Sequence, residues 1–132
     1  MVKYYCDGYC IQKNPSDIGG GYTIVDENNQ LIKTEQILKS NFTNNEAELL
    51  GVLETAKICN QGDIISTDSQ IIIKWISGIK NKRHLENKSA RKDLNHLKEE
   101  AYQLIKEKQI NLIWQMRENN RAGWYNEDNF NS

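Results

Sequence analysis

The order of the elements predicted along this chain constrains its fold more than any other feature. β-Branched and aromatic residues recur in three early segments, which predicts strands over residues 2–11, 21–25 and 30–38. Helical and strand patterns then alternate. Strands are predicted over 63–67 and 110–116. Helices are predicted over 44–59, after a cap at Asp68 or Ser69, over 89–108, and in a short final segment that starts at Asn119 or Asn120. An antiparallel meander followed by strands linked through helical crossovers predicts an α/β fold with a five-stranded mixed sheet flanked by helices.

Residues that interrupt extended structure separate the predicted strands. Asn14-Pro15 and Gly19-Gly20-Gly21 are expected to lie between the first two strands, and the polar run over 26–29 is expected to turn the chain into the third. The final helix is expected to fray into residues 129–132. The segment over 63–67 is short and apolar at Ile64 and Ile65, which predicts a buried strand in the middle of the sheet.

Composition and length favour one domain over residues 1–132. The chain is 38% hydrophobic and 27% charged, as is usual for globular proteins, and 132 residues suit a single core. No apolar run approaches the roughly 20 residues that span a bilayer, and the chain reaches Asp7 before any signal-like apolar region forms. We therefore expect a cytoplasmic protein without membrane contact. Because coiled-coil heptads do not occur, we expect a monomer.

The cysteines and the charges exclude several kinds of site. Cys6, Cys10 and Cys59 lack CxxC spacing, so neither a disulfide framework nor a zinc site is indicated, and buried small apolar side chains are expected. Because the net charge is only −1, binding to nucleic acid would need a local basic patch. The segment from Trp75 to Lys98 holds such a patch, for which a solvated helix face is the alternative interpretation.

The start of the helix predicted over 44–59 carries two acids. Thr43 followed by Glu46 fits a capping box, in which the two side chains satisfy free backbone donors. The apolar stripe of this helix is Leu49, Val52, Leu53 and Ala56. Helical periodicity places Glu46 and Glu48 at opposite edges of that stripe, so it does not decide which one faces the sheet. Capping gives Glu46 a structural task, which leaves Glu48 for chemistry.

Three acids lie where a strand ends or a helix begins, namely Asp7, Glu48 and Asp68. At such positions several carboxylates can converge on divalent metal ions. Each acid alone could equally be solvated or cap a helix, Asp68 above all. Packed together in apolar surroundings, the three would repel each other strongly without bound cations.

Four motifs carry a family resemblance: Tyr5-Cys6-Asp7-Gly8, Thr43 through Leu49, Ser66 through Gln70, and Arg117 through Gly123. Their order and spacing resemble a type 1 ribonuclease H, here a short single-domain member, over nearly the whole chain. The resemblance implies the ribonuclease H-like fold and metal-binding roles for Asp7, Glu48 and Asp68. It also implies two Mg²⁺ ions per site, or Mn²⁺, and an RNA/DNA hybrid as the partner.

The resemblance further implies residues that contact the hybrid. Asn44, Asn45 and Gln70 occupy positions that face the minor groove, where amides can meet ribose 2′ hydroxyls without demanding a sequence. Asn14 is expected in the same groove, although its spacing from Asp7 is one residue longer than the family pattern. Three basic residues are expected to contact phosphates of the DNA strand: Lys80, Lys82 and Arg83. The alternative for Asn44 and Asn45 is that they only form the start of the helix. Trp75, in the same basic segment, is expected in the core.

The last motif departs from the family pattern. It reads Glu118-Asn119-Asn120-Arg121-Ala122-Gly123, so glycine stands where the family has a fourth carboxylate. Glu127 follows one helical turn later on the same face, and helix side chains lean toward the N-terminus. We hypothesise that Glu127 replaces the absent acid as a catalytic metal ligand. An exposed acid near the chain end is the alternative.

Three functions compete on this sequence. The first is a metal-dependent endonuclease that hydrolyses the RNA strand of RNA/DNA hybrids with two metal ions. The second is a catalytically impaired module that only binds nucleic acid, and the third is the nuclease domain of a transposase or resolvase. Retention of Asp7, Glu48 and Asp68 favours the first, because a pure binder gains nothing from crowded negative charge near phosphates.

Overall fold

A computed structural model describes residues 1–86 and 91–130, and these contain one five-stranded sheet. The strands are β1 (Lys3–Cys10), β2 (Gly19–Asp26), β3 (Leu31–Leu38), β4 (Ile64–Thr67) and β5 (Asn111–Trp114). Their order across the sheet is β3-β2-β1-β4-β5. The first three strands pair antiparallel, whereas β4 is parallel to both β1 and β5. The predicted mixed α/β architecture is therefore confirmed, with the short β4 between two neighbours.

Five helices flank the sheet in the part of the chain that the structure describes. They are α1 (Asn44–Ile58), α2 (Gln70–Gly78), α3 (Arg83–Glu86), α4 (Asn95–Glu107) and α5 (Arg121–Phe130). Single 3₁₀ turns occur over Ile79–Asn81, Lys92–Leu94 and Arg117–Asn119. None of these helices combines the length and apolar character needed to cross a lipid bilayer.

The predicted break at Gly19-Gly20-Gly21 is wrong, because all three glycines lie inside β2 and are buried. A Cβ on Gly20 would overlap the carbonyl oxygen of Tyr9 on β1, and one on Gly21 would overlap that of Glu35 on β3. Glycine here permits close approach of the two neighbouring strands.

Two predicted helix boundaries also need correction. The helix expected over 89–108 begins as α4 at Asn95, after the 3₁₀ turn, while Ser89 and Ala90 lie outside the described residues. The final helix was expected to fray at residue 129, but α5 continues to Phe130. Packing of α5 on β1 and β2 stabilises this helix, and the local sequence pattern does not reveal that packing.

The two faces of the sheet are covered by different helices. Successive strand residues point to opposite faces, so Cys6 joins the core beneath α1, whereas Tyr5 packs with Ala122 of α5. The apolar stripe predicted for α1 is buried throughout: Leu49, Val52, Leu53 and Ala56. Helices α1 and α5 therefore approach β1 from its two sides, and this arrangement positions the acidic residues.

The N-terminus of α1 follows the capping prediction only in part. Thr43 Oγ1 accepts a hydrogen bond from the backbone N–H of Glu46 at 3.1 Å. The Glu46 carboxylate does not return to Thr43; it pairs with Lys39 at 2.6 Å and with Arg91 at 3.6 Å. Among the cysteines, Cys6 and Cys59 are buried as expected, but Cys10 is only partly buried.

Candidate metal centre

Three carboxylates from three elements converge at one point. Asp7 lies on β1, Glu48 on α1, and Asp68 directly after β4. One oxygen from each of them lies within 4.8 Å of the others, and among the described residues no other acid joins this group. Strands β1 and β4 are parallel neighbours, so Asp7 and Asp68 meet at one region of the sheet. The structure thus brings together the three acids singled out from the sequence.

Gly8 sets the distance between β1 and α1. A Cβ at this position would lie 2.6 Å from the backbone carbon of Ala47 and 2.6 Å from the backbone nitrogen of Glu48. The helix therefore rests directly on the strand, which carries the Glu48 side chain to Asp7. Glu48 is buried and directed to the cluster, while Glu46 is held by cations elsewhere.

Burial raises the pKa of all three carboxylates, and neighbouring negative charge adds to the rise for Asp7 and Glu48. Burial, followed by the charge of Asp68, raises the pKa of Asp7 from 3.8 to about 6, and a hydrogen bond from Asn126 opposes this rise. Burial and then the charges of Asp7 and Asp68 raise the pKa of Glu48 well above 4.5. Burial also raises the pKa of Asp68, against the influence of Asn120 and Arg117. The cluster is thus unfavourable in its fully ionised, cation-free form.

Burial and this repulsion together predict that the metal-free protein loses stability as pH rises. The folded pKa of Asp7, about 6, lies above its ordinary 3.8. Its contribution to stability is therefore complete below about pH 4 and is lost as the pH passes through about 6. We expect the melting temperature in EDTA to fall from about pH 5 to about pH 7.

Thermal unfolding at several pH values measures this effect. The matched variant Asp7→Asn should give a flatter curve, because the titrating group is gone. A parent melting temperature that falls no more than that of the variant over the same interval would contradict the predicted loss of stability.

The donor set suits a hard divalent cation. All three groups offer carboxylate oxygen, and Glu48 Oε2 is buried without a hydrogen-bond partner. Oxygen ligands of this kind are preferred by Mg²⁺ and Mn²⁺, whereas softer ions prefer sulfur or imidazole. The residues present therefore fit the metal that the resemblance implies.

Helix α5 supplies neutral groups next to Asp7. A Cβ at Gly123 would lie 3.6 Å from Asp7 Oδ2, so this glycine stands beside the cluster. Asn120 is fully buried; its amide donates to the Cys6 carbonyl at 3.0 Å and accepts from the backbone N–H of Ala122. Asn126 is 1% exposed and donates to Asp7 Oδ2 at 3.0 Å.

Asn126 was not among the residues predicted at the site, and Asn120 was predicted only as a possible start of the final helix. The available signal was the spacing of Asn126, three residues after Gly123 and hence on the same helix face. Glu127, the residue predicted instead, is exposed and does not belong to the three-carboxylate group. It does line the cavity into which that group opens.

This cavity, of about 1250 Å³, contains most of the residues expected to contact a hybrid. Its walls include Asn14, Asn44, Asn45 and Gln70. Asn14 is tied to α1, since its Oδ1 accepts a hydrogen bond from the backbone N–H of Asn44 at 3.0 Å. Other residues of the cavity wall were not predicted from the sequence to face a substrate, and they include Trp114, Arg117 and Trp124.

The basic residues expected at DNA phosphates lie elsewhere. Lys80 and Lys82 are exposed at the 3₁₀ turn after α2 and, like Arg83, do not line the 1250 Å³ cavity. Arg83 borders a second cavity of about 410 Å³, together with Trp75 and Lys98. Trp75 packs against the core as expected, and the buried Lys98 ammonium lies 4.2 Å from its ring centroid.

Comparison with known proteins identifies the same architecture. A family model described as RNase H matches residues 1–121. RNase H1 from the halophilic archaeon Halobacterium salinarum NRC-1 superposes with a TM-score of 0.68 at 19% identity, covering 99% of this chain and 98% of that one. The N-terminal RNase H domain of rv2228c from Mycobacterium tuberculosis, solved as a fusion with maltose-binding protein, gives 0.67 at 23% identity, with 98% and 90% covered.

A third solved structure, LC11-RNase H1, contains an RNA/DNA hybrid. It superposes with a TM-score of 0.61 at 22% identity, covering 92% of this chain and 91% of that one. At such identities the likeness concerns the fold. The family match ends at Arg121, so Gly123, Asn126 and Glu127 lie beyond it.

Proposed function

This chain belongs to the RNase H family, and from that premise we propose that it is a metal-dependent endonuclease that hydrolyses the RNA strand of RNA/DNA hybrids. The observation that carries the proposal is the convergence of Asp7, Glu48 and Asp68 within 4.8 Å at a cavity walled by amide side chains. The hybrid bound by the structural relative LC11-RNase H1 supports the choice of substrate.

Asp7, Glu48 and Asp68 would hold two Mg²⁺ or Mn²⁺ ions as catalytic ligands. Such a pair, when bound, supplies activation of the attacking water and charge stabilisation at the leaving 3′ oxygen. The chain's own task is to present clustered carboxylate oxygens in a fixed geometry. Gly8 serves this task through the close contact of β1 with α1.

The amides of the cavity would bind the hybrid through its minor groove. Asn44 and Asn45 begin α1, Gln70 begins α2, and Asn14 lies in the loop before β2. Each amide donates and accepts, so it can meet a 2′ hydroxyl on the RNA strand and a base edge on either strand. Lys80, Lys82 and Arg83 would contact DNA phosphates outside this groove, as exposed cations do.

Glu127 would supply the fourth oxygen in place of an acid at position 123. Its support is its place on the cavity wall, one turn after Gly123 on α5. We expect Glu127→Gln to raise the Mg²⁺ concentration for half-maximal cleavage about tenfold or more, as loss of a metal-orienting group does.

The matched control is Asp128→Asn, a neighbouring exposed acid that does not line the cavity. Cleavage rates measured over a range of Mg²⁺ concentrations compare the two variants with the parent. Unchanged metal dependence in Glu127→Gln would eliminate Glu127 as a ligand.

A binding module without activity is the second candidate, favoured by one observation: α5 presents Gly123 and Asn126, not an acid, to Asp7. A panel of end-labelled duplexes separates the candidates. The endonuclease should cut the RNA strand of the hybrid, with Mg²⁺ or Mn²⁺, and leave a DNA duplex intact. Hybrid binding by fluorescence anisotropy without cleavage would favour the second candidate. Absence of binding and of cleavage would contradict both candidates.

That the protein acts as a single-domain cytoplasmic monomer remains a prediction.

A further inference from the structure

One buried amide of α5 connects two strands at the metal centre. Asp7 on β1 and Thr23 on β2 are direct partners in the antiparallel pair, so their side chains stand side by side on the face that α5 covers. Asn126 reaches both of them. Its Nδ2 donates to Asp7 Oδ2 at 3.0 Å and to the Asp7 carbonyl at 3.3 Å, and its Oδ1 accepts from Thr23 Oγ1 at 2.5 Å.

Two acceptors on Asp7 fix which end of the Asn126 amide faces this residue. The Asp7 carbonyl and the ionised Asp7 carboxylate only accept hydrogen bonds, so they take Nδ2 and leave Oδ1 for the Thr23 hydroxyl, which donates to it. Thr23 is itself fully buried, and its Oγ1 lies 3.1 Å from Thr34 Oγ1, which limits rotation of the Thr23 side chain. With Asn126 only 1% exposed, little water competes for these bonds.

The consequence for Asp7 is a preset orientation. One of its oxygens is occupied by a neutral donor from α5, while the carboxylate as a whole belongs to the group with Glu48 and Asp68. Carboxylates that ligate metals are commonly held in this way by hydrogen-bonding partners outside the coordination sphere. Gly123 adds no charge on this side, so the amide is the polar side chain that α5 places against Asp7 Oδ2.

We propose that Asn126 is a positioning residue that orients Asp7 for divalent metal binding through its fixed hydrogen bond to Asp7 Oδ2. The inference rests on the proposed function, because Asp7 must be a metal ligand for it to hold. It assigns a role on α5 to Asn126 independently of whether Glu127 coordinates the metal.

The test measures metal affinity in the folded protein, not activity alone. Mn²⁺ binding is followed by electron paramagnetic resonance in the parent, in Asn126→Ala and in the control Asn129→Ala. Asn129 lies on the same helix, is exposed, and its amide donates to the Tyr125 carbonyl. We expect Asn126→Ala to bind Mn²⁺ about 10- to 100-fold more weakly, as loss of such a partner does elsewhere. Asn129→Ala should bind like the parent.

Cleavage and stability provide independent readouts. Cleavage by Asn126→Ala should fall at low Mn²⁺ and recover at high Mn²⁺, which lost packing alone would not produce. If Asn126→Ala does not fold, Thr23→Val replaces it, since it removes the hydroxyl that anchors Asn126 Oδ1 and should weaken Mn²⁺ binding in the same direction.

Unchanged Mn²⁺ affinity in a folded Asn126→Ala, or an equal loss in Asn129→Ala, would overturn the inference while leaving the proposed function intact. A parent that neither binds Mn²⁺ nor cuts hybrid RNA would overturn the proposed function and the inference with it.

Discussion

Glu48→Gln is expected to abolish hybrid cleavage and, at the same time, to make the metal-free protein more stable. Cleavage should fall by about 10³-fold or more, because metal-based charge stabilisation contributes several kcal/mol and each 1.36 kcal/mol is about a factor of ten in rate. Stability should rise by about 1–3 kcal/mol, since Glu48 is a buried carboxyl with an unpaired oxygen beside two like charges. Opposite effects of one substitution are typical of a site built for function at the expense of stability.

Single-turnover cleavage and urea denaturation in EDTA measure these two quantities. The matched control is Glu46→Gln, two residues earlier on α1 and also buried, whose carboxylate pairs with Lys39 and Arg91. The control should lose stability, because its cations lose their partner, and retain cleavage. If Glu48→Gln were destabilised as Glu46→Gln is, Glu48 would be a structural ion-pair residue and the assignment of the metal centre would be wrong.

Among substitutions that add one methyl group near the metal centre, Gly8→Ala is expected to destabilise the protein most. The new Cβ would lie 2.6 Å from backbone atoms of Ala47 and Glu48, which no side-chain rotation can relieve. Either α1 moves away from β1 or the strand shifts, at a cost of about 3 kcal/mol or more. Since this contact carries Glu48 to Asp7, cleavage should fall even in the fraction that stays folded.

The comparison that makes this result informative is Gly123→Ala. There the added Cβ meets Asp7 Oδ2 at 3.6 Å, an ordinary contact, within a helix where alanine is preferred to glycine. This variant should gain about 0.5–1 kcal/mol. Thermal unfolding in EDTA compares the two, and a Gly8→Ala protein as stable as the parent would contradict the close packing of β1 on α1.

The sequence was most informative where local pattern and packing agree. The α1 stripe from Leu49 to Ala56 and the strand centred on the buried Ile65 follow from the local apolar pattern, because each element buries the face that its own residues define. The glycines of β2 show the limit of this reasoning. As a run they indicate a turn, yet Gly20 and Gly21 are needed where β1 and β3 approach β2, and those neighbours are not adjacent in sequence.

The same limit applies at the site. Asp7, Glu48 and Asp68 could be named from their motifs, and the structure brings them together. The expectation that each lies where a strand ends or a helix begins is wrong for Asp7, which lies inside β1 because the pairing with β2 continues past it to Cys10. The contact of Asn126 with Asp7 spans 119 residues and depends on how α5 packs across β1 and β2. Helical spacing after Gly123 predicted Glu127 as the replacement metal ligand. It could not show that Asn126, and not Glu127, is the buried residue of that turn.

The central claim is that Asp7, Glu48 and Asp68 form a metal centre that cuts RNA in a hybrid. Its most direct test is single-turnover hydrolysis of an end-labelled RNA strand in an RNA/DNA hybrid, by the parent and by Asp68→Asn purified identically. We predict cleavage by the parent that requires Mg²⁺ or Mn²⁺ and a loss of about 10³-fold or more in the variant. Equal cleavage by both proteins, or none by the parent with either metal, would contradict the claim.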